Sequence, residues 1–110
     1  MKIMNCTPHP INISLDGREI VFNPSGYVPR VSQTETLSEI IDDIPFVKME
    51  YGAVEPLPKS EEETIYIVSA LYATAYRAQY PNSNVRLAVP ARPIRNEKGQ
   101  IIGSGALAKI

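Results

Sequence analysis

The sequence has a single cysteine, Cys6, and a single histidine, His9. One cysteine excludes a disulfide within the chain. One residue of each kind cannot supply the three or four soft ligands of a zinc site, so no metal is expected. No run approaches the ~18 apolar residues of a membrane span. The stretch Met1-Lys2-Ile3-Met4-Asn5-Cys6-Thr7-Pro8 has no apolar core of the kind that marks a chain for export. Asn5-Cys6-Thr7 and Asn12-Ile13-Ser14 fit the glycosylation pattern, but without export both are chance matches. These absences give the expectation of a cytoplasmic protein.

Catalytic groupings are as scarce. A nucleophile needs a nearby base, and His9, locked between Pro8 and Pro10, is the only histidine. Cys6 lies three residues away, but a lone cysteine usually packs as a small core hydrophobe. His9 reads as a structural hydrogen-bonding group at a strand start. Carboxylates are plentiful, yet no pair stands apart from solubilising charge. Gly103-Ser104-Gly105 lacks the third glycine of a dinucleotide fingerprint and opens no helix. The expectation is a protein that is not an enzyme and carries no cofactor.

What is present describes one domain spanning 1–110, with 44% apolar and 21% charged residues. A chain of this size buries roughly two thirds of the surface it exposes when unfolded, enough for one core. The net charge of −1 hides a segregation. Residues 35–63 carry nine acids (Glu35, Glu39, Asp42, Asp43, Glu50, Glu55, Glu61, Glu62 and Glu63) against Lys48 and Lys59, or −7, which leaves +6 elsewhere. The plain reading places these acids on one solvated hairpin and its flanking loops.

Ten prolines divide the chain into pieces mostly too short for helices. Ile11–Leu15 alternates apolar and polar residues, Asp16-Gly17 supplies a two-residue turn, and Glu19–Phe22 returns as a hairpin. Asn23-Pro24-Ser25-Gly26 reads as a turn and Tyr27–Ser32 as a strand, made an edge or bulged by Pro29. Thr34–Asp43 reads as strand or loop. Phe46–Tyr51 alternates, with Phe46, Lys48 and Glu50 on one face and Val47, Met49 and Tyr51 on the other, before Gly52 turns the chain. Thr64–Val68 reads as a buried strand. Ser69 caps a helix over 70–79, with Leu71, Ala75 and Ala78 as its apolar stripe and Tyr72 and Tyr76 stacked beside it. Val85–Val89 is a strand, and Pro93–Arg95 with Gln100–Leu107 forms a hairpin around Asn96-Glu97-Lys98-Gly99. The sum is an α+β, mainly β domain: a barrel-like or sandwich-like antiparallel sheet of six to eight short strands with one helix. Parallel βαβ order is not expected.

Binding of an anion is the chemistry best supplied. Arg86, Arg92, Arg95 and Lys98 fall within thirteen residues, opposed only by Glu97. The planar guanidinium fork matches phosphate bidentately. Arg30 is a candidate fifth member, and Tyr27, Tyr72, Tyr76 and Tyr80 are candidates for stacking on a base. The competing reading has the tyrosines filling the core edge and the arginines solvating strands. Nucleic acid is not the expected partner, because the overall charge is not basic. A nucleotide-sized anion is.

Several stretches carry a resemblance: Asn5-Cys6-Thr7-Pro8-His9-Pro10-Ile11-Asn12-Ile13, Pro24-Ser25-Gly26, Tyr51-Gly52-Ala53-Val54-Glu55-Pro56-Leu57-Pro58, Ile65-Tyr66-Ile67-Val68-Ser69-Ala70, and Arg95-Asn96-Glu97-Lys98-Gly99-Gln100-Ile101-Ile102-Gly103. Together they resemble a family of small bacteriophage and prophage proteins with the pattern LTPHPINI, PPSG, AR, YGxVxxLP, YIVS and VRDexGrIIG. Pro29 stands where that pattern has a small residue, and Asn96 where it usually has Asp. The resemblance implies a phage accessory protein acting in the cytosol of a host cell, and the anion-binder reading goes with a homo-oligomer. By analogy with other small phage proteins, it implies an anti-defence sponge that sequesters a nucleotide immune signal. The alternatives are a module that inhibits a host protein through its acidic 35–63 segment and a structural or virion-associated protein.

Overall fold

The computed structural model describes residues 1–60 and 62–110; Glu61 of the acidic stretch lies outside the described residues. Eight strands and one helix follow in the order β1 (Lys2–Asn5), β2 (Ile11–Leu15), β3 (Arg18–Phe22), β4 (Val31–Ile41), β5 (Ile44–Val54), β6 (Thr64–Ile67), α1 (Ala70–Gln79), β7 (Arg86–Arg95) and β8 (Ile101–Lys109). Six strands form one sheet in the order β1-β6-β7-β8-β2-β3, and β4 and β5 form a sheet of their own. The α+β, mainly β class is as the sequence indicates.

The short local signals form what their chemistry requires. Asp16 and Gly17 both take positive φ, 43° and 79°, the two-residue hairpin turn that matches strand twist. Ser69 caps α1, its hydroxyl accepting from the Tyr72 N–H at 3.1 Å. Asn96 Oδ1 accepts from the N–H groups of Lys98 and Gln100, and Gly99 closes that turn at φ 78°.

Long-range pairing departs from the expected hairpins. β6 pairs in parallel with both β1 and β7, and β2 meets β8 in parallel at Ile13 and Ser104. β6-α1-β7 is therefore a parallel βαβ unit, and the sheet is mixed. The apolar run Thr64–Val68 is what a strand flanked on both sides requires, and Ile67 and Val68 are fully buried. The core gathers Cys6, Val54, Tyr66, Val68, Tyr72, Ala73, Ala75 and Leu87, with α1 laid on it. The helix buries Tyr72, Ala73 and Ala75, while Leu71 of the expected stripe stays exposed.

Three boundaries also move. Tyr27–Arg30 is loop, and the strand begins at Val31. Gly52 does not turn the chain but lies inside β5, packed so closely on Ser32 that a Cβ would collide with its hydroxyl. β7 runs unbroken through Pro90 and Pro93, paired with β8 from Ala88 to Arg95, because its parallel contact with β6 ends at Ala88 and leaves no ladder there for a proline to interrupt.

The sheet curls until its two edges meet. Asn5 bridges to Pro24, and the Ser25 N–H donates to Asn5 O at 2.9 Å. From this body β4 and β5 project as an arm of eleven residues per strand, joined at Asp42 and Asp43, both at positive φ. The radius of gyration of 16.9 Å exceeds the ~13 Å of a compact chain of this length.

Candidate functional site

The seven expected ligand residues do not converge. A strand rises about 3.3 Å per residue, so Arg86 and Arg95, at opposite ends of β7, stand roughly 30 Å apart. Arg86 pairs with Glu63 at 3.0 Å. Arg92 lies mid-strand at φ 52°, opposite Gly105, whose missing side chain leaves room for it. Arg95 donates to Gly99 O at 2.8 Å within its own turn, which also holds Lys98. Arg30 sits at the base of the arm, its N–H donating to Glu55 Oε1 at 2.7 Å. Closeness in sequence becomes distance in space because the segment is extended.

The tyrosines have structural work. Tyr72 is only 2% exposed and donates its hydroxyl to Glu55 O, so it is no stacking platform. Tyr27 donates to Pro56 O at 2.6 Å and Tyr66 to Pro58 O at 2.8 Å. Three phenols thus fasten the linker from Glu55 to Pro58, which joins arm to body. Tyr76 is half-buried, its hydroxyl 3.1 Å from Ser83 Oγ, and stacks between Tyr72 and Tyr80 at centroid distances of 6.0 and 5.0 Å. With Tyr80, Tyr66, Lys59 and Leu57 it borders an open groove of about 280 Å³.

The structure gathers a different set of cations. Arg77, Arg86 and Lys109 rim a hollow of about 280 Å³ floored by Ile65, Val85 and Leu87. Arg77 is held rigid by donation from Nη2 to Val85 O at 2.6 Å and to Ile110 O at 2.7 Å, and from Nη1 to Ser83 O at 3.3 Å. Arg77 and Lys109 were not among the residues expected from sequence. They come from a helix and a distant strand, and only the tertiary fold puts them beside Arg86.

Nucleophilic chemistry has little to draw on. Cys6 is buried, and desolvation pushes its thiol pKa up against the opposing hydrogen bond from Ser25. His9 stays exposed and contributes its carbonyl, which accepts from Asn5 Nδ2 at 2.8 Å. Among the described residues, no group of three or more His, Cys, Asp or Glu is placed to hold a metal, and no helix is long and apolar enough to cross a membrane.

The arm forms a sheet of its own, with most of its length exposed. Its acids Glu35, Glu39, Asp42, Asp43 and Glu50 lie on β4, β5 and their turn, while Glu62 and Glu63 belong to the linker before β6. The acidic segment is therefore not one patch. Leu37, Ile40, Ile41, Ile44, Phe46, Val47, Met49 and Tyr51 are all exposed on the arm, Ile40 by 63%. Two strands alone are marginally stable in water, and a soluble domain rarely leaves so continuous an apolar surface uncovered. At its base the arm is tied to the helix by one amide: Val54 N–H donates to Gln79 Oε1 at 3.1 Å, and Gln79 Nε2 donates to Gly52 O at 2.6 Å. Comparison with known proteins finds no matching family model, no matching curated protein and no matching solved structure.

Proposed function

We propose that this chain is a non-enzymatic binding protein whose β4–β5 arm is its contact surface for a macromolecular partner. The observation that carries this reading is the exposed apolar face of the arm, which the core leaves uncovered although Val54 at the arm's base belongs to that core. Burying such side chains contributes about 25 cal/mol per Å² removed from water, so the free arm is a standing drive to association. The resemblance to phage accessory proteins, which often act by occupying host components, agrees with it. The test is the native size of tagged protein in bacterial lysate. Wild type is expected in complexes larger than its own 12.2 kDa, and the double variant Val47→Asp, Met49→Asp as free chain. Equal sizes for both would sink the proposal.

A second reading keeps the nucleotide-like anion and moves it to the hollow of Arg77, Arg86 and Lys109. Lys109 above an apolar floor, with charge added by Arg77 and Arg86 as they bond carbonyls and Glu63, suits a phosphate carried on an apolar or aromatic body. Calorimetric titration with nucleotides is the check, and Lys109→Ala is expected to weaken binding about tenfold, the effect of ~1.4 kcal/mol. Unchanged affinity in that variant removes the hollow from consideration.

A further inference from the structure

The two faces of the arm differ. Strand register sets Gln33 opposite Tyr51, Glu35 opposite Met49, Leu37 opposite Val47 and Ile40 opposite Pro45. By the alternation of a strand these pairs share one face, the irregularity between Leu37 and Glu39 returning Ile40 to it. Glu35 is the only charge there. The other face carries Thr34, Thr36, Glu39, Lys48 and Glu50 until the tip, where Ile41, Ile44 and Phe46 make it apolar as well.

The apolar face does not end with the arm. Tyr51, at its base, borders a hollow of about 260 Å³ with Leu71, Ala75 and Ala78 of α1. Leu71 and Ala78, the part of the helix stripe that stays exposed, thus continue the arm's face around a corner.

We propose that a second copy of the chain occupies this surface. Two arms lie antiparallel with apolar faces together, the twofold axis near the Leu37–Val47 pairs, and each tip rests in the partner's α1 hollow. This rests on the reading of the arm as a contact surface and names what it contacts. Length fits: from Tyr51 to Ile44 the strand spans about 23 Å, so a tip reaches the base of an antiparallel neighbour.

Area decides between a simple pairing and this one. One arm face measures roughly 36 by 10 Å, so two faces alone bury only about 700 Å², below the ~1,200–2,000 Å² of a stable interface. Seating both tips in both hollows enlarges this contact. Charge agrees. Residues 31–54 hold five acids against Lys48, or −4, and the rest of the chain carries +3, giving the total of −1. Glu39 and Glu50 point outward and Glu35 is the one acid within the contact, while Asp42 and Asp43 ride at the tip and are carried onto a body of opposite sign. The same patch meeting itself is the isologous contact of a closed dimer.

The test uses the purified chain. Light scattering at about 100 µM, far above the Kd expected of a standard-size interface, should give twice 12.2 kDa. Under mild oxidation Val47→Cys should form a covalent dimer and Lys48→Cys, on the other face, should not; Cys6 is buried and silent. Leu71→Asp, outside the arm and exposed, should weaken the dimer about tenfold or more with an unchanged circular dichroism spectrum. A monomer at that concentration, equal crosslinking from both cysteine variants, or a Leu71→Asp dimer of native strength each overturns the second-copy assignment. A purified monomer whose arm still governs complex size in lysate leaves the contact-arm reading standing. If the arm governs neither, both fall.

Discussion

Asn5 is a polar side chain with 2% exposure at the meeting point of the sheet's two edges. Its Nδ2 donates to His9 O and Phe22 O, both at 2.8 Å, and its Oδ1 accepts from Thr7 N–H at 2.9 Å and from Thr7 Oγ1 at 2.6 Å. All four hydrogen-bonding positions are used. Asn5→Ala removes four hydrogen bonds at once and is expected to cost about 3 kcal/mol, read as a Tm fall of roughly 15 °C. A fall of only a few degrees would show that water replaces the amide. The Asn5-Cys6-Thr7-Pro8-His9 stretch stands out in the sequence, but nothing within it says that Asn5 serves Phe22. That partner is seventeen residues away. The same holds for Tyr27, Tyr66 and Tyr72, whose carbonyl partners lie on one distant linker.

Among the elements, the arm depends on its attachment. Gln79, the last residue of α1, acts as a surrogate backbone for β5 by accepting from Val54 and donating to Gly52. Gln79→Ala is expected to destabilise by about 1–2 kcal/mol and to speed hydrogen exchange at Val54 while the β6 amides keep their protection. Uniform acceleration throughout would mean that arm and body unfold together. The alternation of Phe46–Tyr51 and the span of α1 were both legible, because periodicity and capping act within about ten residues. The full length of the arm was not. Thr34, Thr36 and Ser38 carry no hydrophobic pattern of their own, and β4 is a strand because β5 pairs with it.

For the molecule as a whole, ionisation sets a limit at high pH. Burial raises the thiol of Cys6 above its ordinary 9.0 and the phenols of Tyr66 and Tyr72 above 10.0, Tyr72 most of all. Each holds its proton more tightly in the folded chain than in the unfolded one. The stability they lend is therefore complete below about pH 9 and drains as pH rises, since the unfolded chain ionises first. The urea midpoint is expected to hold between about pH 7 and 9 and to fall steeply toward about pH 11, with a shallower fall in Tyr72→Phe. A midpoint independent of pH across that range would contradict the buried phenol.

The sequence by itself determined what neighbouring residues decide: the Asp16-Gly17 and Asn96–Gly99 turns, the Ser69 cap and its helix, the mainly β class, and the two unlike faces of β5. Tertiary structure alone decided which strands lie side by side and where the charges meet. It replaced the arginine cluster with a trio drawn from α1, β7 and β8, because an extended strand separates what the sequence places together. It also left the apolar face of the arm outside the core. Alternation marks which face of a strand is apolar, but whether that face finds a partner within the chain depends on the closure of the whole sheet, and here the curled sheet closes without it.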